Sequence, residues 1–270
     1  MDKKKIEVLD YWLRDEQEDQ LKIIRQTLTI INNAQCKIIF AILNKHDNLT
    51  CPQIQQLGEG NLDKARVYQY LVKLEKLNFV NTIRTDNLVH YSLVKIEVGD
   101  FIDCINSNLT NVKIDGKLNA SNFLDVNCND GGSQKKYILD YNLMSHLQNC
   151  LNCFHTSKQK ELLKIFLKKL YSGVGQSKAN HEQQTTFADT EFVDSMHIQS
   201  TVSRSLIALA NCNLITRTKE KNFRHNTLNV DHILNICGFL TDTTNLSFDK
   251  KNAPRDRVLP RKKLLFKPLM

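Results

Sequence analysis

Glycine, proline and long apolar runs are scarce in this sequence of 270 residues. It contains nine Gly and four Pro, and so few residues of these types favour a helix-dominated fold. The longest unbroken apolar run, Ile38 to Leu43, has six residues, whereas a membrane-spanning helix needs about 20. The first residues, MDKKKIEVLD, lack the apolar segment of a signal peptide. We therefore expect neither a membrane-spanning nor a secreted protein.

Cysteine is present but not concentrated. Eight cysteines are scattered along a long chain, as is typical of reduced thiols in an intracellular protein. Hydrophobic residues make up 41% of the chain, enough for one large or two ordinary domains. The expected location is the nucleus if the organism is eukaryotic and the cytoplasm otherwise.

The net charge of +8 is concentrated at one end of the chain. Lys250 to Met270 contain eight basic residues against Asp256, so this segment carries +7 and the rest of the chain only +1. A polybasic segment with three prolines is expected to be flexible. Its predicted role is a nuclear-localisation signal, a non-specific DNA tether or a docking peptide, and a plain disordered tail is the alternative.

Two segments repeat at an offset of 135 residues. KARVYQYLVKLEKLNFV begins at Lys64 and QSTVSRSLIALANCNLI begins at Gln199, and the two align without gaps. Each shows a helical apolar face followed by an Asn, at positions 78 and 213, and then by apolar strand residues. The pattern predicts a helix, a left-handed Asn that ends it, and a strand.

The surroundings of the two segments also correspond. Each is followed by a predicted hairpin, VNTIRTDNLVHYSLV or ITRTKEKNFRHNTLNV. Each is preceded by a short predicted helix, PQIQQLGEG or DTEFVDSMH, and by longer amphipathic helices. Three helices and a hairpin in this order are the winged-helix plan, a helix-turn-helix whose last helix can enter the DNA major groove.

Both segments resemble known winged helices. Residues 36–96, above all ARVYQYLVKLEKLNFV, are similar to archaeal sugar regulators of the TrmB type and to the ArsR and MarR repressors. Residues 198–230, with STVSRSL at the start of the third helix, resemble the same superfamily. The resemblance covers about half the chain and implies a fold more than a function. Tandem winged helices also occur in RNA polymerase accessory subunits and telomere-capping complexes, where protein contacts can dominate.

The predicted fold is mainly α with small β hairpins, arranged as two winged-helix domains. An apolar stripe at Leu21, Ile24, Leu28 and Ile31 can make the N-terminal region a dimer interface. The predicted layout is an N-terminal arm (1–20), winged-helix domain 1 (21–103), an Asn-rich linker (104–137), winged-helix domain 2 (138–240) and a basic flexible tail (241–270).

The second domain is the stronger candidate for binding DNA. Its third helix is predicted to present short polar side chains and one guanidinium to base edges, and its hairpin to present cations to phosphates. An ordinary solvated hairpin is the alternative. The residues concerned are Ser200, Thr201, Ser203 and Arg204 on the helix and Arg217, Lys219, Lys221 and Arg224 on the hairpin.

The first domain offers a weaker version of the same surface. Its helix carries Lys64, Arg66 and Gln69 as candidate DNA contacts. Tyr68 is bulky, and the hairpin has only Arg84 as a cation. Protein packing and DNA reading are equally supported here, because winged helices also use this surface for docking partners.

Cys150 and Cys153 form a CxxC pair, but no second pair follows at zinc-finger spacing. They share a helical face with leucines, where cysteine behaves as a small buried hydrophobe. A metal shared with Cys128 is the alternative, and we predict no metal ligand and no cofactor.

No enzyme motif is present: GxxxxGK, GxSxG and HExxH are all missing. The carboxylates Asp189, Glu191 and Asp194 lie where a helix start favours negative charge. The predicted function is DNA binding in transcription regulation, without enzymatic activity. The alternative is a non-enzymatic subunit of a transcription or telomere-maintenance complex that binds mainly proteins.

Overall fold

A computed structural model describes residues 3–109, 123–130, 133–173, 186–189, 192, 199–220 and 223–246. In these ranges the protein is mainly helical, with small antiparallel sheets, as the composition predicts. None of the helices described is long and apolar enough to cross a membrane. Most of the predicted basic tail, from residue 247 onward, and Lys221 of the predicted DNA site lie outside these ranges.

The first half of the chain combines helices with one small sheet. Its strands are ordered β1-β3-β2, and β2 pairs antiparallel with β3 from Val80 opposite Leu93 to Thr85 opposite Leu88. The elements are α1 (Lys3–Trp12), a 3-10 turn (Asp15–Gln17), α2 (Glu18–Ile31), α3 (Ala34–Lys45), β1 (Leu49–Thr50), α4 (Cys51–Leu57), α5 (Lys64–Lys76), β2 (Val80–Thr85), β3 (Leu88–Leu93) and α6 (Lys95–Leu109).

The second half repeats this arrangement after an inserted two-stranded hairpin. Its sheet has the order β6-β8-β7, the same topology as the first sheet. The elements are β4 (Phe123–Asp130), β5 (Ser133–Asp140), α7 (Tyr141–His155), α8 (Ser157–Gly173), β6 (Thr186–Ala188), α9 (Gln199–Asn211), β7 (Ile215–Glu220), β8 (Phe223–Leu228) and α10 (Val230–Asn245).

The repeat at 135 residues extends beyond the aligned segments. Helix α9 begins 135 residues after α5, from Lys64 to Gln199, and the same offset separates Lys95 at the start of α6 from Val230 at the start of α10. The strands of the hairpins β2–β3 and β7–β8 are related by the same offset of 135 residues. The predicted helix and hairpin are therefore confirmed at both places.

A second offset, which the sequence comparison missed, relates the first two helices of each copy. Four buried apolar residues of α2 each have a buried apolar counterpart on α7 that lies 123 residues later in the chain. The pairs are Leu21 and Met144, Ile24 and Leu147, Leu28 and Leu151, and Ile31 and Phe154. Only the apolar spacing is shared, because just one of these four pairs is identical. We call residues 18–109 the first copy and residues 141–245 the second copy.

In both copies the helix that precedes the hairpin, α5 or α9, ends on the predicted left-handed Asn. The backbone φ is 60° at Asn78 and 57° at Asn213. Immediately after each, a backbone N–H donates back into the helix, from Phe79 to the Leu74 carbonyl at 3.0 Å and from Leu214 to the Leu209 carbonyl at 2.9 Å. An Asn tolerates this conformation better than most side chains, which explains its use at both turns.

Replacing Asn213 should separate backbone strain from side-chain contacts. Asn213→Ala is expected to lower the free energy of unfolding by about 1 kcal/mol, because alanine has no local compensation for a positive φ. Asn213→Gly should match or exceed wild-type stability. Urea unfolding followed by circular dichroism measures both, with exposed Asn211→Ala as the control. If Asn213→Ala and Asn213→Gly lower the free energy of unfolding equally, the stabilising effect of Asn213 comes from contacts of its side chain and not from its backbone conformation.

The two copies pack through equivalent elements. Helix α2 packs against α7, and α6 packs against α10. The segment before each copy crosses to the other one: α1 lies on α10 and α8, and the hairpin β4–β5 lies on α6 and α3. Such reciprocal pairing is the arrangement of an isologous dimer, here built within one chain.

This arrangement changes two expectations about the N-terminal region. The apolar face of α2 is fully covered inside the chain, so it is not open to a second copy of the protein. Residues 9–13 of the predicted arm at 1–20 are also part of the core, since Leu9, Trp12 and Leu13 are at most 3% exposed. Self-association or partner binding through winged-helix domain 1, which the sequence also suggests, stays an untested prediction.

The predicted linker at 104–137 is wrong in its described parts. Residues 104–109 complete α6, and residues 123–130 and 133–137 belong to the hairpin β4–β5. On β4 the side chains of Leu124, Val126 and Cys128 are buried, alternating with exposed Asp125 and Asn127. Alternation of this kind indicates a half-buried strand, and the Asn-rich composition concealed it.

Candidate functional site

Helix α9 has one face in the core and one in solvent. Val202, Leu206 and Leu209 are at most 1% exposed and fix the helix on the second copy. On the other side, Ser200 and Arg204 are exposed, while Thr201 and Ser203 are partly exposed. The structure thus leaves these four predicted contacts at or near the surface of a helix anchored along its opposite face.

Two cations face each other on the hairpin that follows α9. Lys219 on β7 is the cross-strand partner of Arg224 on β8, and both side chains are exposed. Like charges directly opposite each other in a sheet repel, so an anion between them would relieve an unfavourable contact. Of the predicted hairpin residues, these two have the exposure and charge that a phosphate contact needs.

Arg217 does not have the predicted phosphate-contacting role. Its guanidinium donates to Asp189 Oδ2 at 2.8 Å and to Asn226 Oδ1 at 3.0 Å, and its side chain is only 14% exposed. The Asn226 amide in turn donates to Asp189 Oδ1 at 2.7 Å and to the Phe187 carbonyl at 3.2 Å. The network ties the region of β6 to the hairpin, and it gives Asp189 a structural partner 28 residues away.

The first copy presents a different surface at the same positions. Lys64, Arg66 and Gln69 are exposed on α5, and Gln69 corresponds to Arg204. The counterpart of Ser203 is Tyr68, which is 57% exposed. On the hairpin Arg84 lies opposite Val89 rather than opposite a second cation. The opposed cations are therefore a property of the second copy.

Sequence reasoning missed a group of histidines and cysteines in the core of the second copy. His146 Nε2 lies 3.1 Å from His232 Nε2, and Cys150 Sγ lies 3.5 Å from the former and 3.8 Å from the latter. These three atoms all lie within 4.8 Å of one another, as metal ligands do. Cys153 Sγ is 3.6 Å from Cys212 Sγ. We call His146, Cys150, Cys153, Cys212 and His232 the His–Cys cluster.

Burial and mutual contacts shift the pKa values in the His–Cys cluster. Burial lowers the pKa of His146, and burial together with the neighbouring His146 lowers the pKa of His232 to about 4. Hydrogen bonds with Cys150 and Cys153 lower the pKa of Cys212 below its usual range. At neutral pH both imidazoles are therefore uncharged.

The predicted alternative for CxxC, a metal shared with Cys128, is wrong in its choice of partner. The Cys128 thiol donates to the Lys95 carbonyl at 2.9 Å in the first half of the molecule. Cys150 and Cys153 instead meet His232 and Cys212, which are distant in sequence. The available signal was the spacing of His146 and Cys150, four residues apart on one helix face.

No protein-family model, curated protein or solved structure matches this chain.

Proposed function

We propose that both copies are winged helices and that the second copy binds duplex DNA in transcription regulation. In this proposal α9 lies in the major groove and the hairpin β7–β8 touches the adjacent phosphates. The order of helices and hairpin is that of helix-turn-helix proteins with a wing. The observation that carries the proposal is the opposed pair of exposed cations, Lys219 and Arg224, on the hairpin next to α9.

The side chains of α9 support a division between base and phosphate contacts. Arg204 is exposed on the helix, and an arginine can donate two hydrogen bonds to guanine in the major groove. Ser200 provides a short donor and acceptor on the same exposed side. Cations on a hairpin meet phosphates, which carry no sequence information themselves. The helix would therefore select a sequence and the hairpin would add general affinity.

A second candidate function concerns the first copy, where apolar side chains occupy the corresponding surface. Tyr68 on α5, Ile83 on β2 and Leu88 on β3 are 57%, 49% and 54% exposed. The counterparts of Tyr68 and Ile83 are Ser203 and Thr218, both polar, whereas the counterpart of Leu88 is Phe223. Exposed aromatic and aliphatic groups on such a helix and hairpin favour docking of a protein partner. The first copy would then recruit a protein while the second copy holds DNA.

The salt dependence of binding tests the hairpin contacts. Lys219→Ala combined with Arg224→Ala is expected to weaken binding to every duplex alike and to reduce the slope of log K against log salt by about two, because two fewer counterions are released. Fluorescence anisotropy with two unrelated duplexes at several salt concentrations measures this change.

Two exposed lysines elsewhere give the matched control. Lys158→Ala combined with Lys168→Ala on α8 removes the same charge from a helix outside the proposed interface. This variant should keep the wild-type slope to within a fraction of a unit. If both double variants reduce the slope equally, the effect is one of net charge, and the proposed contacts of the hairpin are refuted.

A further inference from the structure

The His–Cys cluster belongs to the second copy alone. Positions related by the two offsets can be compared directly, because the copies share their fold. In the first copy these positions hold ordinary side chains, so the fold itself requires neither histidine nor cysteine there. The pairs are Ile23 and His146, Thr27 and Cys150, Ile30 and Cys153, Leu77 and Cys212, and Glu97 and His232.

We infer that the His–Cys cluster binds a zinc ion, with His146, Cys150 and His232 as three of its ligands. Zinc in proteins is tetrahedral, with bonds of about 2.0–2.1 Å to nitrogen and about 2.3 Å to sulfur. The edges of such a tetrahedron are about 3.4 Å between two nitrogens and about 3.6 Å between nitrogen and sulfur. The corresponding separations here are 3.1 Å between the imidazoles and 3.5 and 3.8 Å from the thiol to each of them.

Cys212 supplies the fourth ligand. The Cys150 thiol donates to the backbone carbonyl of Cys212 at 3.4 Å, the Cys212 thiol lies 3.6 Å from that of Cys153, and Cys212 is 7% exposed. The Cys212 sulfur is not among the three atoms that lie within 4.8 Å of one another, so its side chain would turn toward the bound ion. Two thiolates and two neutral imidazoles around Zn²⁺ give a site without net charge, which is what a buried ion requires. A complete set of four protein ligands is typical of a structural rather than a catalytic zinc site.

The surroundings support this ligand set. The backbone of Cys212 also lies close to the ring of His232. His146 and Cys150 lie four residues apart on α7, which places both side chains on one face of that helix. The orientation of the ligands is therefore fixed by elements already packed in the core.

A disulfide explains less of the geometry. The sulfurs of Cys153 and Cys212 are 3.6 Å apart, close enough for oxidation to form a disulfide between them. Such a bond would leave the contact between His146 and His232 without a reason, since a stable apolar core needs no imidazole pair. Zinc binding explains why both imidazoles and the Cys150 thiol lie together, whereas a Cys153–Cys212 disulfide explains the position of none of these three groups. We therefore favour metal binding over a redox switch.

The zinc would connect three elements of the second copy. His146 and Cys150 lie on α7, His232 is in the first turn of α10, and Cys212 directly follows the last residue of α9. The ion would thus fix the end of α9 relative to the two helices that pack beside it. This inference does not depend on whether α9 binds DNA.

Cobalt and zinc titrations of the full chain test the site. The protein is purified with a reductant, stripped with a chelator and titrated with Co²⁺. We expect one Co²⁺ per chain, the visible bands of tetrahedral cobalt with a thiolate charge-transfer band, and displacement by one Zn²⁺. Zn²⁺ but not Mg²⁺ should also raise the melting temperature.

The first copy supplies variants that the fold already tolerates. His146→Ile and Cys150→Thr each introduce the residue found at the equivalent first-copy position, and each should weaken Zn²⁺ binding by more than about 100-fold, since changes beyond the ligands already cost about 10–100-fold. Cys237→Ala, a buried cysteine of α10 outside the cluster, is the matched control and should bind normally. Circular dichroism verifies that each variant is folded.

Three outcomes would overturn the inference. One is a stripped, reduced wild-type chain that binds neither Co²⁺ nor Zn²⁺. Another is unchanged affinity in folded His146→Ile and Cys150→Thr. The third is a chain that, without added oxidant, carries a Cys153–Cys212 disulfide and no metal.

Discussion

Trp12→Ala is expected to lower the free energy of unfolding by about 3–5 kcal/mol, the usual cost of deleting a large buried aromatic side chain. The indole of Trp12 is 1% exposed, and its Nε1 donates to Thr241 Oγ1 on α10 at 3.4 Å. The cavity would open where the segment preceding the first copy crosses to the last helix of the second copy. Urea unfolding followed by circular dichroism measures the loss.

A neighbouring position on α1 gives the control. Val8 lies on the same helix but is 41% exposed, so Val8→Ala should change stability by no more than about 0.5 kcal/mol. Trp12 is the single tryptophan of the chain, and its buried indole should give a blue-shifted emission in the native wild type. A loss below about 1 kcal/mol for Trp12→Ala, or emission typical of water, would mean that α1 does not dock on α10.

Arg204→Ala is expected to cost about 1–3 kcal/mol of binding free energy on the preferred duplex and much less on a scrambled one, because a lost bidentate contact to guanine penalises only the correct sequence. The preference, which is the ratio of the affinity for the preferred duplex to that for the scrambled duplex, should therefore fall by about 5- to 150-fold. Arg204→Lys separates geometry from charge, since lysine keeps the charge but lacks the planar fork. It should lose most of the preference while retaining the affinity for scrambled DNA.

The equivalent first-copy residue provides the comparison for this prediction. Gln69 is exposed at the position on α5 that corresponds to Arg204. If the second copy is the principal reader, Gln69→Ala should leave the preference unchanged or reduce it less than Arg204→Ala does. A larger effect at Gln69 would transfer the reading role to the first copy. Anisotropy with the preferred and scrambled duplexes measures all three variants.

Local signals in the sequence were sufficient to predict helices α5 and α9 and the hairpin that follows each of them. An apolar face at helical spacing, an Asn that takes a positive φ, and two strand patterns lie within about 30 consecutive residues. Each such signal acts through neighbours along the chain, so a single sequence carries it. The left-handed Asn78 and Asn213 are the most specific cases, because their backbone angles agree within 3°.

Pairings between distant residues were not predictable in the same way. Arg217 has the charge expected of a phosphate contact, but Asp189, 28 residues earlier, binds its guanidinium. His146 and His232 are 86 residues apart, and neither is unusual in its own segment. Only the fold places α7 beside the start of α10. Spacing pairs His146 with Cys150 on one face of α7, but neither the ion pair nor the complete His–Cys cluster could be derived from it.

The relation between the first two helices of the copies was hidden for a different reason. Helices α2 and α7 share the positions of their apolar residues, but chemically they share little else. The two copies also differ by 12 residues in the segment that precedes α5 or α9, as the change of offset from 123 to 135 shows. A gap-free comparison finds one offset at a time, and the stronger similarity lies at 135.

The sequence preference of a chain ending at residue 249 is the most direct test of DNA reading by the second copy. Removing Lys250 to Met270 takes away +7 of the net charge of +8, so binding must then come from the rest of the chain. We predict that this chain still prefers its selected duplex over a scrambled duplex and over single-stranded DNA across a salt series, and that Arg204→Ala abolishes most of this preference. A shortened chain that binds no duplex, or one whose preference is untouched by Arg204→Ala, would contradict the account.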